Sequence, residues 1–332
     1  MKVVFIGDPH HKWTKFDLGC QFLDWVDETV IREMPDIVVN LGDHFDSHGV
    51  VRAEIQKVYR DHVRKITNYG INYIHLLGNH EWHKNGSKTY HALQVMKELE
   101  TAKYHVIDEA KNLFGMTFVP YTHDLNDFPK ETLPICIAHQ TFIGADYGYH
   151  RPDAGVDAAD VSAEIIISGH VHKRQTFGKV TYPGTPYAQS VNDINQAKGI
   201  MVFDTETYKM SYIDSPFPTW RGAKFEMSPD MHDEIVTKVS GGHNDHWIVD
   251  ISGPKAEVNA YLSSKEFKGL KVSVDIKVRA TYTDTQKTIL KIQAVTMSNI
   301  LAEYVDKVYD GALDKETIKA KAFKILEKAR QA

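Results

Sequence analysis

The sequence predicts an α/β fold: a layered sheet core flanked by helices, then a small α/β module and a helical tail. Three observations carry that expectation. Short apolar, β-branched runs alternate with amphipathic stretches over about the first 215 residues, as strands joined by helical crossovers do. The motifs richest in Asp, Asn and His each stand just past one such run, where open α/β sheets place their ligand loops. A stiff Ser215-Pro216-Phe217-Pro218 segment then precedes a change of pattern.

Taken in order, Lys2 to Ile6, Ile37 to Leu41 and Asn72 to Leu77 read as buried strands. The stretch from Leu18 to Arg32 carries Phe22, Leu23, Trp25, Val26 and Val30 at helical spacing. Val51 to Tyr69 repeats the pattern with Ile55, Val58, Tyr59, His62, Val63 and Ile66. Short strands are expected at Thr117 to Val119, Ile135 to His139, Ile165 to Ser168, Val180 to Pro183, Gly199 to Asp204 and Lys209 to Ile213. Past the prolines, His246 to Ser252 and Leu270 to Val278 read as strands, with a helix from Lys255 to Phe267 between them. In the second strand Val272, Val274, Ile276 and Val278 alternate onto one face. Thr285 to Tyr309 predicts a long amphipathic helix, and Asp314 is placed to cap a last helix running toward Ala329. The expected divisions are 1–215, 216–282 and 283–332.

The 332 residues are 42% hydrophobic and 25% charged, the composition of an ordinary globular chain with room for a large core. The apolar run after Met1 is too short for a signal peptide, and no stretch has the apolar length to span a bilayer, so the expected location is cytoplasmic, or host cytoplasm for a virus. Cys20 and Cys136 are too few for a disulfide framework or a structural zinc site. A formal net charge of −5 excludes a polybasic chain that coats nucleic acid by bulk attraction. Two bound divalent cations would bring it to about −1, so a phosphodiester substrate is compatible with it. No G-x-x-x-x-G-K-[ST] loop occurs, which excludes a P-loop ATPase; any ATP dependence must come from another subunit.

The chemistry lies in five stretches: Asp8-Pro9-His10, Gly42-Asp43 with Asp46, Gly78-Asn79-His80-Glu81, His139, and Gly169-His170-Val171-His172. Hard oxygen and imidazole ligands of this kind suit two divalent cations acting on a phosphate ester. Asp8 and His10 are expected to reach one ion together by strand alternation. Asp43 can bridge both ions with its two oxygens, Asn79 offers a neutral amide oxygen, and His170 with His172 gives each ion one imidazole. His80 is left for proton or charge work. Each fragment has a bland reading: Asp8 or Asp43 as a cap, His80 as a turn histidine, His139 as a hydrogen-bonded core residue, H-x-H as a surface pair. Their joint order, each at a strand end, favours a single binuclear site. The neighbouring Gly7, Gly42, Gly78 and Gly169 are expected to let the backbone turn sharply.

In this set and order the residues resemble the calcineurin-like metallophosphoesterase superfamily over about the first 215 residues. The resemblance implies a β-sandwich flanked by helices. It also implies one ion on Asp8, His10, Asp43 and His172, a second on Asp43, Asn79, His139 and His170, and His80 as general acid or transition-state stabiliser. The G-D-H-F-D stretch, the Tyr182-Pro183-Gly184-Thr185-Pro186 turn and the C-terminal module resemble the SbcD-type DNA nuclease branch, in its bacterial or phage form. That branch implies Mn(II), with Mg(II) as the other choice, and DNA ends or single strands as substrate in recombination, repair or replication. It also implies an SbcC-type ATPase partner with a coiled coil, gripped by the C-terminal helices, and a homodimer through helices at Val51 to Tyr69 and Tyr90 to Leu99. Residues 216–282 would be the DNA-recognition cap.

The chain departs from that pattern in two places. His11 and Lys12 follow His10 where many relatives carry an apolar residue and glycine, so extra titratable or positive groups are expected at the mouth of the site. Asp46 stands where some relatives have histidine; it is read as orienting a ligand or capping a helix, with His48 as a local substitute for the histidine. A protein phosphatase would show G-D-x-V-D-R-G, and this chain has G-D-H-F-D-S-H. A small-molecule or nucleotide phosphodiesterase shares every ligand and is the alternative reading, while a dead scaffold would have no use for seven matched ligands.

Overall fold

Strand β1 (Lys2–Ile6) opens a run that continues through α1 (Phe16–Glu33), β2 (Ile37–Asn40), α2 (Ala53–Asn68), β3 (Asn72–Leu76), α3 (Gln94–Lys97) and β4 (Tyr104–Ile107). Six further strands follow: β5 (Lys111–Leu113), β6 (Met116–Val119), β7 (Ile135–His139), β8 (Ile165–Gly169), β9 (Gln175–Phe177) and β10 (Val180–Tyr182). The chain then forms β11 (Gly199–Asp204), β12 (Met210–Asp214), β13 (Trp220–Glu226), α4 (Met231–Ser240), β14 (His246–Gly253), α5 (Lys255–Ser263), α6 (Lys265–Ser273) and β15 (Ile276–Tyr282). The computed structural model describes residues 1–48, 50–82, 90–148, 150–240, 245–284, 305 and 314–321. Two units are formed, Met1–Thr281 and Tyr282–Ala332.

Two six-stranded sheets, ordered β12-β11-β1-β2-β3-β4 and β5-β6-β7-β8-β10-β9, make up the larger part of the first unit. Val3, Phe5, Ile37, Val39, Ile74 and Leu76 of one pack against Met116, Phe118, Ile135, Ile137 and Ile167 of the other, forming a sandwich. The alternate residues Val4, Ile6 and Val38 turn outward under α1 and α2, where Phe22, Leu23, Val26, Ile55, Tyr59 and Val63 cover them. Burial on both faces is why these strands read as unbroken apolar runs rather than alternating ones. Each such side chain contributes roughly 1.5–3 kcal/mol on burial. The outer face of the second sheet is covered by the segment carrying Phe142, Ala145, Val156 and Val161.

A separate three-stranded sheet, β13-β14-β15, follows the proline segment. Here the structure corrects the sequence. The strand expected from Leu270 starts only at Ile276; Leu270 to Ser273 is the last turn of α6, and Val272, which the alternation would place on the packed face, is 89% exposed. The expected helix over Lys255 to Phe267 breaks at Ser264, whose extended backbone and side chain, accepting from the Phe267 N–H, start a new helix. Strands β4, β5, β9 and β13 and helix α4 are too short or too polar to read from the sequence. The segment Tyr90 to Leu99 contains one helical turn, Gln94–Lys97; His91 bridges to Trp82 and the Ala92 N–H donates to the Glu81 carbonyl, which holds its start extended.

Within the second unit, Asp314 accepts from the Thr317 N–H at 2.9 Å and caps a helix over 315–321. The expected helix from Thr285 to Tyr309 lies outside the described residues except for Val305, which is helical. Among the described residues no helix is long and apolar enough to cross a membrane.

Candidate metal centre

The parallel strands β1, β2 and β3 end together, and β7 and β8 end beside them across the sandwich. The loop after β1 is zipped to the loop after β2: the His10 N–H donates to the Asp43 carbonyl at 2.9 Å and the His11 N–H to the His44 carbonyl at 2.7 Å. Asp8, His10, Asp43 and His170 all take left-handed backbone, with φ of 39°, 46°, 50° and 84°. Such conformations cost of order 1–3 kcal/mol each for a non-glycine residue and persist where surrounding contacts enforce them. Asp8 and His10 thus lie past the end of β1 in a strained loop, and strand alternation does not set their directions. Of the four glycines, Gly42 is the one with positive φ, 104°, and a side chain on it would also strike the His139 ring. At Gly78 the demand is for space: a Cβ would overlap the Asp43 carboxylate and backbone N–H.

All seven expected ligands converge. His10 Nε2 lies 3.0 Å from His172 Nε2 and 3.9 Å from Asp43 Oδ2. On the other side of Asp43, His139 Nε2 lies 3.4 Å from Oδ2 and 3.1 Å from Asn79 Oδ1, which is also 2.7 Å from His170 Nδ1. Asp8 Oδ1 accepts from the His170 N–H at 2.8 Å, while its Oδ2 is buried with no protein partner. Two groups of ligand atoms each fall within 4.8 Å of one another: His10, Asp43 and His80, and Asp43, His139 and His170. Buried nitrogens facing one another, an orphaned carboxylate oxygen and a carboxylate shared by both groups fit divalent cations.

At three of the imidazoles electrostatics favours the same reading. Burial holds the His10 imidazole well below its usual range, and pushes His170 down to about 3 and His172 down to about 4, leaving each neutral, the form that ligates. Burial raises Asp8 to about 7. Burial also opposes charge on Asp43 and His139, but their mutual attraction outweighs it: the carboxylate is held far below its usual range and the imidazole is pushed up to about 9. His139 donates Nδ1–H to the Leu41 carbonyl at 2.7 Å, which orients Nε2 toward Asp43 and Asn79.

His80 differs from the rest. Its N–H donates to Asp43 Oδ1 at 2.7 Å and its Nδ1 donates to the Asp46 carbonyl at 3.0 Å, so Nε2 is the nitrogen left for other work. Its ring stacks on His48 at 4.3 Å. Asp46 Oδ1 lies 3.5 Å from His10 Nδ1, without a hydrogen bond to it, and 3.3 Å from Lys12 Nζ, which donates to it. His11 is not at the mouth: it is buried against Phe16 and the space above Gly19, where a side chain would collide with its ring.

Sequence reasoning gave no role to three supporting residues. Glu81, fully buried, accepts from the N–H groups of Asp43, Phe45 and Gly78 at 2.8, 3.0 and 3.0 Å, binding the β2 and β3 loops together. Its place in G-N-H-E was visible; its partners are not inferable from spacing. Lys198, also buried, donates to Asp193 at 2.5 Å, Thr185 at 2.7 Å and the His172 carbonyl at 3.1 Å. No motif signals the Lys198–Asp193 pair. A cleft of about 370 Å³ opens on the centre, walled by Lys12, Tyr147 and the segment carrying Gln189, Ser190, Asn192 and Gln196.

Comparison with known proteins gives a consistent result. A family model described as calcineurin-like phosphoesterase matches residues 1–174. The chain is 32% identical over 201 residues to protein 244L of Invertebrate iridescent virus 6, named as a phosphoesterase, covering 55% of this chain and 69% of that one. Exonuclease subunit 1 of Enterobacteria phage T4 is 21% identical over 239 residues, covering 66% and 69%. The DNA double-strand break repair protein Mre11 of Nanoarchaeum equitans is 21% identical over 348 residues, covering 93% and 92%.

Proposed function

The chain belongs to the calcineurin-like phosphoesterase family, hydrolases of phosphoester bonds that use divalent metals, and on that premise we propose that it is a two-metal DNA nuclease, the nuclease subunit of an SbcC/SbcD-type complex that processes DNA ends. The observation that carries the chemistry is the clustering of the seven expected ligands, Asp43 among them, four of them with left-handed backbone. The substrate class draws support from the phage exonuclease subunit and from the archaeal repair protein, whose match runs through the C-terminal part of the chain as well. One cation would sit on Asp8, His10, Asp43 and His172, the other on Asp43, Asn79, His139 and His170, with Mn(II) as the expected ion.

When bound, the two cations neutralise phosphoryl charge and make water acidic enough to supply a nucleophile near neutral pH. The protein's own work is positional. Glu81 holds the Asp43 backbone in place through its N–H. The Leu41 carbonyl sets the His139 tautomer, and Lys198 braces the His172 carbonyl. His80, its Nδ1–H committed to the Asp46 carbonyl, presents Nε2, which as the N–H of an imidazolium would stabilise or protonate the departing oxygen and leave the neutral ring. Residues 216–282 would recognise DNA, and residues 283–332 would dock on the coiled coil of an ATPase.

The test is Mn(II)-dependent digestion of end-labelled linear duplex DNA beside a small generic phosphodiester, with His80→Ala as control. DNA cleavage that the variant loses while retaining its metal supports the reading. Turnover of the small diester alone would move the chain to nucleotide or small-molecule hydrolysis, and full activity of the variant with intact metal would remove His80 from the mechanism.

A further inference from the structure

We propose that Lys12 is a substrate-positioning residue that holds the phosphate next to the one being cleaved, so that the cleft selects a strand with at least two consecutive phosphates. The inference rests on the nuclease reading above and adds the feature that distinguishes a polynucleotide from a small diester. Among the described residues walling the cleft, Lys12 is the one lysine or arginine; Gln189, Ser190, Asn192 and Gln196 add amides and a hydroxyl, and the charge of Asp193 is already paired with the buried Lys198. A second lysine nearby, Lys15, is turned onto the Gln189 carbonyl at 3.4 Å. The charge of a strand extending past the two cations therefore has one cationic side chain in the cleft to meet it.

Lys12 is also placed at a suitable remove. Its Nζ is 3.3 Å from Asp46 Oδ1, and that same oxygen is 3.5 Å from His10 Nδ1, so the ammonium stands one carboxylate away from the ligand cluster instead of within it. Both members of the Lys12–Asp46 pair are about one-third exposed, 28% and 32%, and such a solvent-screened ion pair contributes little. Exchanging Asp46 for a phosphodiester, which like the carboxylate carries one negative charge over two oxygens, then costs little, whereas a bare Asp46 at this rim would repel the strand. Lys12 thus has two separable effects, attraction of a phosphate and neutralisation of Asp46, and a double-mutant cycle can tell them apart.

The experiment measures kcat and KM for a short single-stranded oligonucleotide and for a small diester with one phosphate, in wild type, Lys12→Ala, Lys12→Arg and Lys12→Ala/Asp46→Asn, with metal content checked in each. Lys12→Ala should lower the oligonucleotide-to-diester ratio of kcat/KM about tenfold, the larger part of the loss falling on KM. Lys12→Arg should recover most of it. The double variant should stay impaired, and its log–log salt dependence of oligonucleotide binding should be shallower by about 0.7. Recovery of wild-type KM in the double variant, or an equal loss on both substrates, overturns the assignment while leaving the nuclease reading intact. A wild type that turns over the diester and leaves DNA uncut overturns the nuclease reading, and this inference with it.

Discussion

Glu81 offers two acceptor oxygens to three backbone N–H groups belonging to two different loops. Glu81→Gln keeps the volume but replaces one oxygen with a donor facing donors, so at least one buried N–H loses its partner, at a cost of about 1–3 kcal/mol. The expected outcome is a lower midpoint of thermal unfolding together with reduced metal content by elemental analysis, because Asp43 is held through its own N–H; unchanged metal content would remove Glu81 from the support of the centre. Gly78→Ala acts on the Asp43 carboxylate by collision. It should abolish most turnover, which a diester assay reads directly. Neither effect follows from a motif, since both depend on which loop lies beside which.

At the scale of elements, α1 and α2 meet through a buried polar contact as well as an apolar one. Asp27 of α1 accepts from His62 at 2.6 Å and from Lys65 at 2.8 Å, both of α2. Burial works against the Asp27 carboxylate, but these two partners outweigh it and hold it below its usual range. A depressed carboxyl contributes stability above its unfolded-state value of about 3.9 and loses it as pH falls through the folded value. Asp27→Asn should therefore be less stable than wild type to urea at pH 7, with the difference shrinking as the pH is lowered below about 4. A difference that stays constant with pH would show that the charge is not what matters. The break between α5 and α6 has a similar local cause, and Ser264→Ala should destabilise by about 1 kcal/mol through loss of the cap.

For the whole molecule, the sandwich core determines which groups are inert. Cys136 lies inside β7, fully buried, and burial pushes its thiol up to about 12. Iodoacetamide near neutral pH should label at most Cys20 in the native protein and both thiols in denaturant; rapid native labelling of Cys136 would mean that the second sheet opens readily. The division between Thr281 and Tyr282 makes a second experiment natural. A chain ending at Tyr282 should keep diester hydrolysis and lose coelution with an SbcC-type ATPase, and undiminished coelution would refute docking through the tail.

Chemistry and core were readable from residues alone, since both are written in residue type and short-range spacing. Asp, Asn and His after apolar runs announce a metal centre, and unbroken β-branched runs announce strands covered on both faces. Helices α1 and α2 were visible because their apolar periodicity is long; β5 and β9 were not, because Lys-Asn-Leu and Gln-Thr-Phe form no apolar run. The alternation around Val272 and Val274 misled because a local pattern lost to the helix that Ser264 caps. Only tertiary structure decided that Asp8 and His10 take left-handed backbone past the end of β1, that His11 is buried while Lys12 lines the cleft, and that Glu81 and Lys198 brace ligands through contacts no motif encodes. Those outcomes are set by contacts between loops separated by tens to hundreds of residues, and sequence spacing holds no record of which loops become neighbours.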